Sequence, residues 1–87
     1  MAETLEKTTT QRIMDILENR YSHMYKGRQI TETTLLDEEF GMDSVDRYEF
    51  TYFVEEELLV AIPDEIVWDL KNVRDYANYA DAHREHK

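Results

Sequence analysis

Gly41-Met42-Asp43-Ser44-Val45-Asp46 is the stretch from which the rest of the chain is read. It is followed by a run from Val45 to Leu59 that contains neither glycine nor proline, which predicts a helix from Ser44 to about Leu58. Serine at that point suits an N-cap, since its oxygen accepts a hydrogen bond from a free N–H of the first turn. Ser44 is therefore expected to cap the helix. A phosphate also suits this position, because a helix start presents unpaired N–H groups and partial positive charge. Gly41 allows a tight approach of the chain just before Ser44.

Around this helix the apolar residues fall into two rows. Phe50, Val54 and Leu58 form one stripe at helical spacing. Val45, Tyr48, Tyr52 and Leu59 form a second on nearly the opposite side, with Glu49 and Glu56 alongside and Phe53 at its edge. A surface helix needs one buried stripe. A chain of 87 residues can hardly surround a helix completely, so the second row is read as a face awaiting a partner. Apolar side chains set among carboxylates give docking by burial and steering by charge.

The charge is concentrated in the same region. Between Thr31 and Asp69 there are 13 acidic residues and one basic residue, Arg47; the rest of the chain carries 7 acidic and 9 basic. The net charge of −10 thus sits in and around the central helix, which argues against nucleic acid, whose binders need a basic footprint. It favours fast encounters with basic patches on partner proteins. The chain has no cysteine, so disulfides, thiolate–metal sites and a Cys nucleophile are excluded. Any thiol it carries must come from a prosthetic group. The longest aliphatic run, Leu58 to Ile62, is far short of the ~20 apolar residues of a membrane span. Met1-Ala2-Glu3-Thr4 lacks the pattern of a signal peptide, so a cytoplasmic location is expected.

Outward from the centre, the length fits one domain, with residues 1–8 and 83–87 expected to fray. Thr8 and Gln11 read as a capping box, opening a first helix from about Thr9 to Ser22. Its inner face is Ile13, Ile16, Leu17 and Tyr21, extended by Met24. His23 to Glu39 is a long connection with a turn at Lys26-Gly27-Arg28-Gln29, pinned by Ile30, Leu35 and Leu36, and Phe40 should bury. Connections of this length are usually functional. After the central helix, Pro63 with Asp64 and Glu65 marks the start of a short helix to about Trp68. Ile62, Ile66, Val67 and Trp68 are core candidates. Asn72 caps a last helix, about Val73 to Ala82, with Val73, Tyr76, Ala77 and Ala80 facing inward. The expected fold is therefore all-α, a four-helix bundle of three longer helices and one short one.

These residues carry a resemblance. Gly41-Met42-Asp43-Ser44-Val45-Asp46 resembles the Gly-x-Asp-Ser-Leu-Asp signature of acyl carrier proteins, and Glu49, Glu55-Glu56-Glu57 and Ile62-Pro63-Asp64-Glu65 follow at family spacing. The resemblance spans roughly Leu36 to Ala82. It implies an acyl-carrier-like bundle with 4'-phosphopantetheine esterified to Ser44, beside Asp43 and Gly41, its thiol carrying acyl groups. It implies docking through Val45, Asp46, Tyr48, Glu49, Tyr52, Glu55 and Glu56. The implied partners are a phosphopantetheinyl transferase and acyl-transferring or acyl-modifying enzymes of fatty-acid, related lipid or polyketide synthesis. A monomer and a carrier that is not an enzyme are expected. An unmodified acidic docking module and a peptidyl carrier are the alternatives. Val45 departs from the usual leucine, Glu39 and Phe40 from an Asp-Leu pair, and Arg47, Tyr48, Tyr52 and Phe53 make the central helix bulkier than usual. A specialised member, with changed partners and a reshaped acyl cavity, is the expectation.

Other chemistries fit poorly. An EF-hand loop begun at Asp37 would place Met42 where glycine is required. His83 and His86 alone do not make a zinc site, so no metal is expected.

Overall fold

The computed structural model describes residues 7–25 and 29–83; the expected turn at Lys26-Gly27-Arg28 and the outermost terminal residues lie outside them. Every regular element in the described residues is helical. These are α1 (Thr9–Arg20), α2 (Ser22–Tyr25), α3 (Ser44–Leu58), α4 (Asp64–Val67) and α5 (Val73–His83).

α1 starts where its sequence predicts, but only half of the expected capping box forms, because the Gln11 side-chain amide donates to Asp15 at 3.1 Å. Thr8 is the N-cap, and its hydroxyl accepts the Gln11 N–H at 3.0 Å. The helix stops two residues sooner than expected: Tyr21 leaves helical geometry, and Ser22–Tyr25 form a separate turn, α2. Tyr21 is pulled inward and buried, its ring meeting Phe50 edge-on at 6.1 Å. Ile13, Ile16 and Leu17 bury against α5 and α3. Polar ties close the same seams, from Thr9 Oγ1 to Asp81 at 2.7 Å and from Arg12 to Glu57 at 3.2 Å.

The connection from 29 to 43 lies over the start of α5. Leu36 N–H donates to Lys71 O at 3.0 Å, and Arg74 N–H donates to Glu32 O at 2.9 Å. Leu36, Phe40 and Met42 are buried, while Ile30 is half-buried. Loop backbone needs such partners, because an unpaired buried polar group costs about as much as a lost hydrogen bond. α5 opens on Asn72, whose side chain accepts the Asp75 N–H at 2.8 Å.

Trp68 departs from expectation. It is not core: it follows the last turn of α4 as its C-cap and is 38% exposed. Four-residue α4 turns only Val67 fully inward, with Ile66 half-buried. A single turn can direct one row of side chains inward, and the bulky indole is left at the rim.

Candidate functional site

The start of α3 is held by Asp43, and this corrects the expected cap. Asp43 is the N-cap: its Oδ1 accepts the Asp46 N–H at 2.9 Å, and Asp46 Oδ2 accepts the Asp43 N–H at 3.2 Å. A carboxylate accepts this bond as well as a hydroxyl does and adds charge against the positive helix end. Ser44 is thereby the first helical residue, and its side chain is exposed. At that position a helix offers no internal partner for its backbone N–H. Gly41 delivers the chain to this point with φ +98°, a left-handed conformation that favours glycine.

α3 shows its two faces plainly. Phe50, Val54 and Leu58 are buried. Val45, Tyr48, Tyr52 and Leu59 are exposed, Val45 at 72% and Leu59 at 84%. The exposed row is extended by Trp68, which meets Tyr48 edge-on at 5.3 Å between centroids. Phe53 is half-buried, with the Arg20 guanidinium 3.9 Å from its ring centroid.

The carboxylates assigned to docking differ in their freedom. Glu56 is exposed. Glu49 is exposed but accepts the Tyr21 hydroxyl at 2.8 Å. Burial first, and then Glu49, raises the Tyr21 phenol well above its ordinary range. Asp46 is half-buried in the capping box. Glu55 is half-buried, and its Oε2 accepts the Ile62 N–H at 2.7 Å. It anchors the turn after α3, where Leu59 sits at φ +56°.

Two buried polar residues of α3 escaped the sequence reading. Arg47, the lone cation of the acidic stretch, is 1% exposed. It donates to Asp37 at 2.8 Å, to Val67 O at 2.7 Å and to Leu70 O. Burial opposes its charge, but Tyr76 and the Asp37 carboxylate outweigh that and hold the guanidinium protonated. Thr51, also buried, shares a 2.7 Å hydrogen bond with the Tyr76 hydroxyl. One signal was available: both occupy inward positions of α3, one turn apart, between apolar neighbours.

Among the described residues, no group of three or more His, Cys, Asp or Glu side chains is arranged to hold a metal ion. None of their helices is long and apolar enough to cross a membrane.

The described residues thus form an all-helical fold with an exposed serine at the start of an acidic helix. The phosphopantetheine attachment site family matches residues 24–80, and the chain belongs to it. Its prosthetic group is 4'-phosphopantetheine. The chain is 29% identical over 72 residues to the mitochondrial acyl carrier protein of Saccharomyces cerevisiae, a match covering 80% of this chain and 58% of that protein. It is 46% identical over 37 residues to the acyl carrier protein of Treponema pallidum, covering 42% of this chain and 47% of that one. The chain thus spans about half the length of the curated relatives it matches.

Proposed function

We propose that this chain, as a single domain, carries acyl groups as thioesters on a 4'-phosphopantetheine arm esterified to Ser44. It delivers them to enzymes of fatty-acid or related lipid or polyketide synthesis, and it catalyses nothing itself. The observation that carries this reading is the exposed Ser44 side chain at the first position of a 15-residue helix, relieved of capping by Asp43. A phosphodiester there gains from the helix N-terminus, and Ser44 projects it clear of the bundle. When bound, the group supplies the thiol that a cysteine-free chain lacks.

The rest of the reading concerns encounter. Val45, Tyr48, Tyr52 and Trp68 offer an apolar face, and Glu56 with Glu49 offers charge for basic patches on a phosphopantetheinyl transferase and acyl-handling enzymes. Glu55 belongs to the fold as much as to docking, since it holds Ile62. We propose that the chain works as a cytoplasmic monomer, docking weakly so that it leaves each partner quickly.

The test is the intact mass after incubation with coenzyme A and a phosphopantetheinyl transferase, beside Ser44→Ala. Gain of one phosphopantetheine in the wild type, absent in the variant, is expected. No gain with several transferases would leave an acidic docking module and overturn the carrier reading.

A further inference from the structure

One way into the bundle from Ser44 runs between α3 and α4, which pack against each other. On the α4 flank the way in is occupied. Arg47, three residues beyond Ser44, reaches across this seam to Val67 O and Leu70 O and pairs with Asp37 at its outer end. Further in, its guanidinium carbon lies 5.9 Å from the Tyr76 ring centroid. Tyr76 is fully buried, bonded to Thr51 and packed edge-on against Phe50 at 5.1 Å. A continuous polar plug therefore runs from Asp37 at the surface to Thr51 in the interior. Outside the seam, a surface hollow of about 180 Å³ is lined by Arg47 with Leu35, Asp37, Glu38 and Lys71.

One atom of the plug sharpens the point. Arg47 Nε is buried without a hydrogen-bond partner in the described structure. The guanidinium is held by its two terminal nitrogens alone. An alkyl chain pushed in beside it would displace the carbonyl bonds and bring no acceptor for Nε. Breaking the partners of a buried charge is strongly unfavourable, and burial of a few methylenes does not offset it.

We propose that Arg47 is a specificity-determining residue: with Thr51 and Tyr76 it closes the α3–α4 seam, so cargo on Ser44 does not enter the bundle between α3 and α4. This rests on the Ser44 carrier reading. The cargo class that suits a closed seam is a short or polar acyl group, because a long alkyl chain kept out of it would stand in water.

The chain has no cysteine, so Ser44→Cys creates a unique attachment point that needs no enzyme. Haloacetyl pantetheine arms ending in two-, six- and ten-carbon acyl groups are attached to that variant. The thermal midpoint and the NMR signals of Val54, Val67 and Tyr76 are then followed. The expected result is a midpoint spread under about 1 °C across the three arms, with unmoved core signals. In the same background Arg47→Thr should open the seam, so that the ten-carbon arm raises the midpoint by about 5 °C or more over the two-carbon arm. If that variant does not fold, Arg47→Leu removes the guanidinium while keeping an apolar side chain in its place.

A midpoint that climbs with arm length while Arg47 is intact, with shifted Val67 and Tyr76 signals, would overturn the proposal. Enzymatic loading of the wild type is run in parallel. If loading fails while the attached arms remain length-independent, the carrier reading falls and the closed seam stands.

Discussion

α1 and α3 draw on similar apolar side chains but arrange them differently. α1 has one inward row, Ile13, Ile16 and Leu17, and its remaining surface is polar or half-buried. α3 buries Phe50, Val54 and Leu58, leaves Val45, Tyr48 and Tyr52 in solvent, and admits Arg47 and Thr51 to its inner face. A helix that only packs needs one apolar stripe. An additional exposed row does nothing for an isolated fold, and large apolar side chains grouped at the surface mark interaction sites. Both helices pack the core, and α3 adds an exposed row that the proposed docking would use.

The sharpest way to break this contrast is a pair of truncations. Leu17→Ala should cost about 2–5 kcal/mol of unfolding free energy, the usual range for a leucine lost from a packed core. Tyr52→Ala should cost under about 0.5 kcal/mol, as for an exposed position, while weakening capture by an acyl-handling enzyme. Denaturant unfolding and binding titrations measure both. Similar stability losses for the two would mean that the outer row of α3 is structural.

A smaller effect probes the inner face. Tyr76→Phe leaves the Thr51 hydroxyl buried without its partner and should cost about 1–2 kcal/mol. Adding Thr51→Val should restore part of that loss, since removing both partners is milder than orphaning one. Strict additivity in urea melts would deny the coupling.

The joint between the two helices has a pH signature. Tyr21 is buried and donates to Glu49, and both effects raise its folded phenol above the unfolded value of about 10. A raised acid favours its neutral form in the folded state. This stability is fully present below about pH 10 and falls as the pH climbs toward the folded value, by at most about 1.4 kcal/mol per unit. Urea unfolding between pH 9 and 11.5 should show the decline, and Tyr21→Phe should flatten it.

The smallest expected effect lies at the end of α3. Leu59 is 84% exposed at φ +56°, so Leu59→Gly should remove left-handed strain and gain about 0.5–1 kcal/mol. Thermal melts check the sign. A loss would mean that the Leu59 side chain contributes to the fold.

Much of this was legible because it is local. The Thr8 cap, the Pro63 start, the Asn72 cap and the two rows of α3 depend on residues within a turn or two of one another. The break at Tyr21 was not legible, since burial against Phe50, distant in sequence, ends a pattern that could have continued. The same holds for Trp68, an apolar residue left at a rim by the shortness of α4. Ser44 was read as a site residue and as the cap, but the capping role fell to its neighbour, because two good capping residues stood side by side.

The sequence by itself determined four of the five helical elements, the acidic centre, the serine-bearing motif and the outward row of α3, all set by periodicity and nearest neighbours. Only the tertiary structure decided what becomes of Arg47. Its partners, Asp37, Val67 and Leu70, come from three other places in the chain. A charge among carboxylates reads as surface in one dimension. It becomes interior only when two backbone carbonyls and a carboxylate converge to hold it.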